Sequence, residues 1–267
     1  LYSLVGFILP LTCRLKDKWV FLLACVLLIQ PLPLYYVIRA CLDPSFITPA
    51  IPTRSFWDAT FAVQSHGSFL ETVRVNLWEG QIASLAWAWD HGRVFQTAAL
   101  FLLGMLIGRR GLFQKENLKV WNKILAGALI AFFPLYGLGN MLPAFIVNKS
   151  ILTPLSLIIT SLSNFSFMLV LVSGVIFAFY NTNMHYLLMK ITPYGKMSLT
   201  NYITQSIVGS MLYYNWGFAL HNQCGITVSC LAGIAFFILQ FTFCRWWMSH
   251  HSHGPMEYIW KRATWLK

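Results

Sequence analysis

A polar string interrupts strongly apolar sequence near the C-terminal end of the chain. Residues 195–206 read GKMSLTNYITQS and lead directly into another apolar run. Thr200, Asn201 and Gln205 are costly in hydrocarbon unless they form hydrogen bonds within the protein. The string therefore marks a helix face that either packs against other helices or contacts a ligand. The packing alternative predicts hydrogen bonds to the polar residues Ser161, Ser163, Asn164 and Ser166.

A second group of reactive side chains, Asp90, His91 and Arg93, precedes a short apolar run. Residues 94–108 make about 22 Å of helix, whereas the hydrocarbon core of a bilayer is about 30 Å thick. We therefore expect some of these groups to lie below the outer membrane surface, where His91 can act as a general base. These three are the candidate catalytic residues. The alternative is that the preceding tryptophans mark the interface and that the charges lie among lipid head groups.

Basic side chains at the inner helix ends suggest contacts with anions. Lys196 and Arg245 suit either anionic lipid or a phosphate-bearing cytosolic donor. Together with three residues of the polar string, they make up the candidate ligand-binding set, which is Thr200, Asn201, Gln205, Lys196 and Arg245. His250, His251 and His253 lie in a short polar tail without further ligands nearby, so the sequence predicts no metal site.

The composition indicates an integral membrane protein. The chain is 57% hydrophobic and only 10% charged, with 11 Trp and 21 Phe in 267 residues, whereas about 25% of the residues in a soluble domain are charged. The net charge of +11 comes from short basic clusters between apolar runs. Such clusters are typical of the cytoplasmic ends of membrane helices, and a nucleic-acid partner is not expected.

The apolar runs predict an all-α, polytopic transmembrane helix bundle, because strands exposed to lipid cannot satisfy their backbone. Six full spans are predicted, at residues 19–38, 94–108, 124–145, 151–180, 199–220 and 225–247. The chain opens inside a further run, residues 1–11, which is too short to cross a bilayer and is expected to be a partial span preceded by other helices.

The basic clusters orient these spans. Most of the 19 Lys and Arg residues fall on one side of the alternating topology, which places the C-terminus in the cytoplasm of a multi-pass inner (plasma) membrane protein. Residues 1–93 are expected to hold the partial span, one transmembrane helix and a long extracytoplasmic loop with an amphipathic helix at 68–79. Residues 94–267 form the second domain. Cys41 and Cys224 both fall outside, where a disulfide is permitted.

Three motifs resemble a known family. The string at 195–206, the ending formed by RWW at 245–247 and GPMEYIWK at 254–261, and FLLGMLIGRRG at 101–111 are similar to segments of the YeiB-type bacterial membrane proteins, the domain-of-unknown-function 418 family. The two C-terminal motifs are the more specific. The resemblance implies an integral membrane protein.

The same resemblance implies a distant relationship to transmembrane acyltransferases. These pass an acyl group from a cytoplasmic donor such as acyl-CoA to an extracytoplasmic sugar or envelope acceptor, and no resident cofactor is expected. The catalytic His of such enzymes lies in N-terminal helices that have no counterpart here, so no residue inherits its role. A transporter or permease for a small solute, and a non-catalytic membrane scaffold, are the alternatives.

Overall fold

A computed structural model of the chain describes residues 2–43, 45–49 and 53–265, and every regular element among them is helical. Two 3₁₀ turns, Lys115–Asn117 and Leu220–Asn222, join the α-helices. The helices are α1 Tyr2–Gly6, α2 Ile8–Thr12, α3 Asp17–Leu28, α4 Pro31–Leu42, α5 Thr53–His66, α6 Phe69–Leu77, α7 Glu79–Asp90, α8 Arg93–Arg109, α9 Leu118–Phe145, α10 Lys149–Tyr180, α11 Thr182–Lys196, α12 Ser198–Tyr213, α13 Ile226–His250 and α14 Pro255–Trp265.

The first of two compact units comprises Leu1–Arg54 and Gln81–Tyr180. In it α10 packs against α9 and α4, and α3 packs against α8. The contact of α3 with α8 holds a buried core of Val20, Ala24, Leu102 and Leu106. A small residue at position 24 lets the two helices approach closely, as is common in membrane helix pairs.

Two sharp breaks interrupt the helices of this unit. α3 and α4 are bent by 51°, and the helical stretch that ends at Asp90 bends by 77° into α8. Gln30 at the first break and Gly92 at the second both adopt the left-handed conformation, with φ of 61°. Pro31 then starts α4, because its fixed φ suits the first position of a helix and its missing N–H is not needed there.

The second unit comprises Ser55–Gly80 and Asn181–Lys267. In it α11 packs against α12 and α13, and α12 packs against α14. The predicted helix at 68–79 is confirmed as α6, which begins with a capping box in which Ser68 and Glu71 satisfy each other's backbone N–H groups. The ring of Trp216 packs edge-on against Phe69 at 5.0 Å, and the amide of Asn215 donates to the carbonyl of Gln64 at 3.0 Å.

Among the described residues, three helices are long and apolar enough to cross a membrane: Lys115–Phe145, Lys149–Tyr180 and Ile226–His250. Five spans result if each bent helix pair counts as one. The expected span at 199–220 is shorter than predicted, because α12 ends at Tyr213. The run at 1–11 forms the two short helices α1 and α2. All six cysteines, including Cys41 and Cys224, are free.

The break at Gly92 yields a test of the fold. A Cβ at this position would collide with Oε1 of Gln30 and would lie 2.9 Å from Cδ2 of Leu157, and its φ of +61° disfavours any L side chain. We expect Gly92→Ala to lower the free energy of unfolding by about 1–3 kcal/mol, measured by chemical denaturation in detergent.

Gly104 in α8 is the matched control, since nothing lies within 4 Å of the position that a Cβ would occupy there. Gly104→Ala should leave stability unchanged or raise it by up to about 1 kcal/mol, the helix-propensity gain. Equal stability of the two variants would contradict the close approach at Gly92.

Candidate functional site

The two helix breaks of the first unit border a groove of about 670 Å³. The groove is lined by residues of the first turns of α4, α8 and α10 and by one long face of α10. It brings together the three candidate catalytic residues, Asp90, His91 and Arg93, all of which line it. They are almost consecutive along the chain, and the break at Gly92 turns them toward one space.

A buried polar network ties the breaks to α10. Nε2 of the fully buried Gln30 donates to Oγ of Ser161 at 3.0 Å. Nε2 of Gln96 donates to the carbonyl of Ser161 at 3.3 Å, and Oε1 of Gln96 accepts from Nη1 of Arg93 at 3.1 Å. Ser161 therefore connects the first break to the start of α8, and Gln96 orients the arginine. Oε1 of Gln30 has no hydrogen-bond partner in the described part of the chain.

The tautomer of His91 follows from its local contacts. Nδ1 lies 2.9 Å from the carbonyl oxygen of Trp87, which can only accept, so Nδ1 carries the hydrogen and the neutral ring keeps a lone pair on Nε2. The imidazole stacks on the Trp87 indole with ring centroids 4.7 Å apart. Asp90 accepts a hydrogen bond of 2.6 Å from the Thr53 hydroxyl. His91 lines the groove, and a neutral imidazole with its lone pair on Nε2 is the form that proton abstraction requires.

The α10 side of the groove is polar over most of its length. Lys149 begins the helix at one end, and Asn164 lies about 22 Å further along, at 1.5 Å per residue. Between them lie hydroxyl groups that are mostly three or four residues apart, with one adjacent pair, which places them along one side of the helix. These lining hydroxyls belong to Thr153, Ser156, Thr160 and Ser161.

In the second unit, the two C-terminal motifs bind each other. Oε1 of Glu257, near the start of α14, accepts from the backbone N–H groups of Leu199 and Thr200 at 2.8 and 3.0 Å. Oε2 accepts from the Thr200 hydroxyl at 2.5 Å, and the same hydroxyl accepts from the N–H of Met256 at 3.2 Å. The carboxylate thus caps the N-terminus of α12 from a distant part of the chain, where a negative charge is most favourable. We call this set of bonds the Glu257 clasp.

Asn201 and Gln205 form hydrogen bonds within the same unit. Nδ2 of Asn201 donates to the Tyr194 carbonyl at 3.0 Å, and its Oδ1 accepts from the Cys244 thiol at 3.2 Å. Nε2 of Gln205 donates to Oε1 of Gln240 at 2.9 Å and to the Tyr194 hydroxyl at 3.0 Å. Hydrogen bonding between helices is therefore observed, with Tyr194, Gln240 and Cys244 as partners rather than the polar face at 161–166 that the sequence offered as an example. Ser161 bonds instead to Gln30, and Ser166 bonds to its own helix at Leu162.

Lys196 and Arg245 are exposed, as are His91, Arg93 and Gln205. Lys196 ends α11, and Arg245 on α13 lies over the ring of Phe241 at 5.8 Å. The histidine tail lines a smaller pocket of about 380 Å³, where Nζ of Lys261 lies 3.2 Å from Nε2 of His253. No set of three or more His, Cys, Asp or Glu among the described residues is arranged to hold a metal ion.

Several residues of these sites were not singled out from the sequence. Gln30 and Gln96 lie in apolar runs, as Asn201 does, and the signal that marks Asn201 also marks them. Pro31 and Pro33 directly after Gln30 are a further sign of a break. Lys149, Gln240 and Glu257 carry no local signal for their roles, since these depend on partners far along the chain.

The Glu257 clasp predicts a pH-dependent stability. Burial alone would raise the pKa of Glu257, but the hydrogen bonds from Thr200 and Leu199 outweigh it, and the net pKa lies below the usual range. Because the pKa is lowered in the folded state, the stabilisation is complete above the pKa of an unfolded Glu and is lost as pH falls through the folded value. We expect the thermal unfolding temperature to fall between about pH 5 and pH 3, and Glu257→Gln to remove part of that fall.

A matched pair of variants isolates the Thr200 hydroxyl. Thr200→Val keeps the shape but removes the donor to Glu257 and the acceptor for Met256, and we expect a loss of about 1–2 kcal/mol in unfolding free energy. Thr200→Ser keeps the hydroxyl and should lose less. Equal effects of the two changes would show that the hydroxyl bonds contribute nothing.

Comparison with known proteins places these motifs in a family. The family model described as a protein of unknown function (DUF418) matches residues 107–267. The uncharacterized protein YxaH of Bacillus subtilis (strain 168) is 30% identical over 95 residues, which are 36% of this chain and 24% of that protein. The uncharacterized protein YeiB of Escherichia coli (strain K12) is 29% identical over 83 residues, 29% of this chain and 20% of that protein.

A third relative, an uncharacterized 39.9 kDa protein in the amylase 3' region of Bacillus acidopullulyticus, is 32% identical over 78 residues, 29% of this chain and 22% of that protein. The matched segments thus span about a quarter or less of these curated relatives. No solved structure matches the chain significantly. Because the family match covers more than half of its residues, including both halves of the Glu257 clasp, the chain belongs to the DUF418 family of proteins of unknown function.

Proposed function

We propose that the chain is part of a multi-pass inner-membrane protein whose C-terminus is cytoplasmic. Its long apolar helices support the membrane location, and the alternation of basic clusters supports the orientation. Six full spans with a partial one at residues 1–11 would require both bent helix pairs and the α12 region to cross the bilayer. Helices broken in this way cross membranes where their interrupted backbone borders a cavity.

The proposed activity is acyl transfer from a cytoplasmic donor to a sugar or envelope acceptor bound in the groove. The observation that supports it is the Nδ1 contact of His91, a residue that lines the groove, because this contact leaves the lone pair of the neutral ring on Nε2. An acceptor hydroxyl would give its proton to Nε2 while its oxygen forms a bond to the acyl carbon of a thioester. The thiolate leaves and takes the proton from the imidazolium, which returns His91 to its starting state.

The other candidates divide between acceptor and donor in this proposal. Asp90 and Arg93 would position the acceptor in the groove of the first unit. Thr200, Asn201, Gln205, Lys196 and Arg245 belong to the second unit, where the exposed basic side chains suit the phosphates of an acyl-CoA. Acyl-CoA is then a substrate, and the chain needs no resident cofactor.

A permease is the second candidate, and the broken helices favour it. Secondary transporters bind solutes where interrupted helices meet near the bilayer centre, and here the breaks at Gln30 and Gly92 border one groove. In that case the groove would bind a solute that crosses unchanged, and His91 would serve only as a hydrogen-bonding group.

Removal of His91 tests the acyl-transfer proposal. Membranes that contain the protein would be incubated with radiolabelled acetyl-CoA or a longer acyl-CoA, and label in membrane glycans and lipids would be counted. We expect His91→Gln to lower the labelling rate at least about 100-fold, the usual contribution of a general base.

His250→Gln is the matched control, because His250 makes the same contact to the carbonyl four residues earlier, 3.0 Å from Trp246, but lies outside the groove. Its labelling rate should match that of the unchanged protein. Absence of labelling with every acyl-CoA would overturn acyl transfer. Solute counterflow in vesicles without labelling would then favour the permease, and neither activity would favour a scaffold.

A further inference from the structure

We infer that the ligand of the groove is a hydroxylated oxyanion, that is, a sugar or polyol that carries a phosphate or carboxylate group. This inference rests on the proposed function only in assigning the groove as the binding site. It names the class of ligand, which neither the family nor the acyl-transfer chemistry specifies.

Arg93 is the anchor for the anionic group. Its guanidinium has five N–H donors in a planar fork, and one nitrogen is used by Oε1 of Gln96. The side chain lies over the indole of Trp87 at 5.8 Å, so packing and a hydrogen bond both restrict it. The remaining donors can bind two oxygens of a phosphate or carboxylate side by side.

The surrounding charges favour an anion over a cation. Asp90 is the acidic residue that lines the groove, and its Oδ2 accepts from Thr53. Lys149 lines the groove as well and has no hydrogen bond or ion pair with any residue that the structure describes. It begins α10 about 12 Å before Leu157, the residue that packs against Gly92. At that distance Lys149 would attract an anion into the groove by its charge, without contacting the oxygens that Arg93 binds.

Helix polarity adds to this charge. α4, α8 and α10 all begin at the groove, and residues of each first turn line it, namely Leu32, Arg93 and Lys149. The N-terminal ends of helices carry partial positive charge. Free N–H groups are fewer at α4, where Pro31 and Pro33 have none, and at α10, where the N–H of Ser150 donates to Oδ1 of Asn148. Gly92 at the start of α8 offers no side-chain cap, so the first N–H groups of that helix have no cap to bind them.

The lining of the groove suits a hydroxylated chain or ring. One wall is the hydroxyl and amide stripe of α10, which can exchange hydrogen bonds with ligand hydroxyls. Apolar lining residues include Tyr36, Trp89 and Leu32, and such rings can pack against the C–H face of a sugar. A fatty acyl chain would offer no hydrogen bonds to the hydroxyls of Thr153 and Thr160, and a bare inorganic anion would leave most of the groove empty.

Binding to three soluble probes tests the inference. The purified protein in nanodiscs of phosphatidylcholine would be titrated calorimetrically with glucose 6-phosphate, gluconate and glucose. We expect one or both oxyanions to bind at least about tenfold more tightly than glucose, with an affinity that falls as salt is added. Equal binding of glucose, or no binding of either oxyanion, would overturn the inference.

Charge variants locate the anionic group. Arg93→Gln should weaken oxyanion binding about tenfold or more, and Arg93→Lys should fall between Arg93→Gln and the unchanged protein because it keeps the charge but loses the fork. Lys119→Gln on α9 removes one charge outside the groove and should leave binding unchanged. If Arg93→Gln does not fold, Thr160→Val tests the polar stripe, since it should weaken glucose 6-phosphate without removing a charge.

Two further outcomes separate this inference from the proposed activity. Oxyanion binding without any acyl transfer would support the ligand class and remove the acyltransferase. Acyl transfer to a neutral sugar at a rate that Arg93→Gln does not change would support the acyltransferase and overturn the oxyanion ligand. Phosphatidylglycerol added to the nanodisc distinguishes a lipid ligand from a soluble one. Competition between this lipid and glucose 6-phosphate indicates a lipid head group, and no competition indicates a soluble ligand. Both results support the hydroxylated oxyanion.

Discussion

Polar groups at helix breaks in apolar surroundings must find hydrogen-bond partners, and both units of this protein are organised around that constraint. In the first unit, the side chains of Gln30 and Gln96, at and after the two breaks, both bond to Ser161 of α10. In the second, the start of α12 lacks a local cap, and Glu257 supplies one from α14. Both sets of hydrogen bonds join residues far apart in sequence, so each helix break or helix start depends on a long-range contact.

The groove is a direct consequence of how the two helix breaks of the first unit pack. In a straight helix through residues 79–109, Asp90 and Arg93 would share one face, but His91 would point about 100° away from Asp90, at 100° per residue. The left-handed Gly92 bends the chain, and the absence of a Cβ lets its backbone press against the Gln30 amide. The three side chains then line one space together with the hydroxyl stripe of α10. The contact of Gly92 with Gln30 that completes the packing therefore also forms the groove in which the proposed reaction can occur.

Hydropathy predicted most helices and the membrane character, because burial of apolar side chains in lipid needs only a long local run. It overestimated the span at 199–220, since the chain leaves the helix at Tyr213 although its sequence stays apolar. Asp90, His91 and Arg93, which the short run at 94–108 singled out, all line the groove, and their catalytic role stays a prediction. The partners of Asn201 and Glu257 were beyond prediction, because polarity in an apolar run shows that a residue needs a partner without indicating which one.

Only some of the residues that line the groove lie within the segment that the family model matches. The contacts of the Glu257 clasp fall inside that segment, and the candidate catalytic residues fall outside it. Residues 107–267 contain the whole Glu257 clasp and the α10 stripe. Asp90, His91, Arg93 and Gln96 lie before the matched segment. Membership of the family thus accounts for how the second unit holds together and for one wall of the groove. Arg93 and the proposed proton acceptor His91 come from the part of the chain outside the match, whereas Lys149 lies within it, so the proposed reaction has to be tested on residues 90–96 of this protein itself.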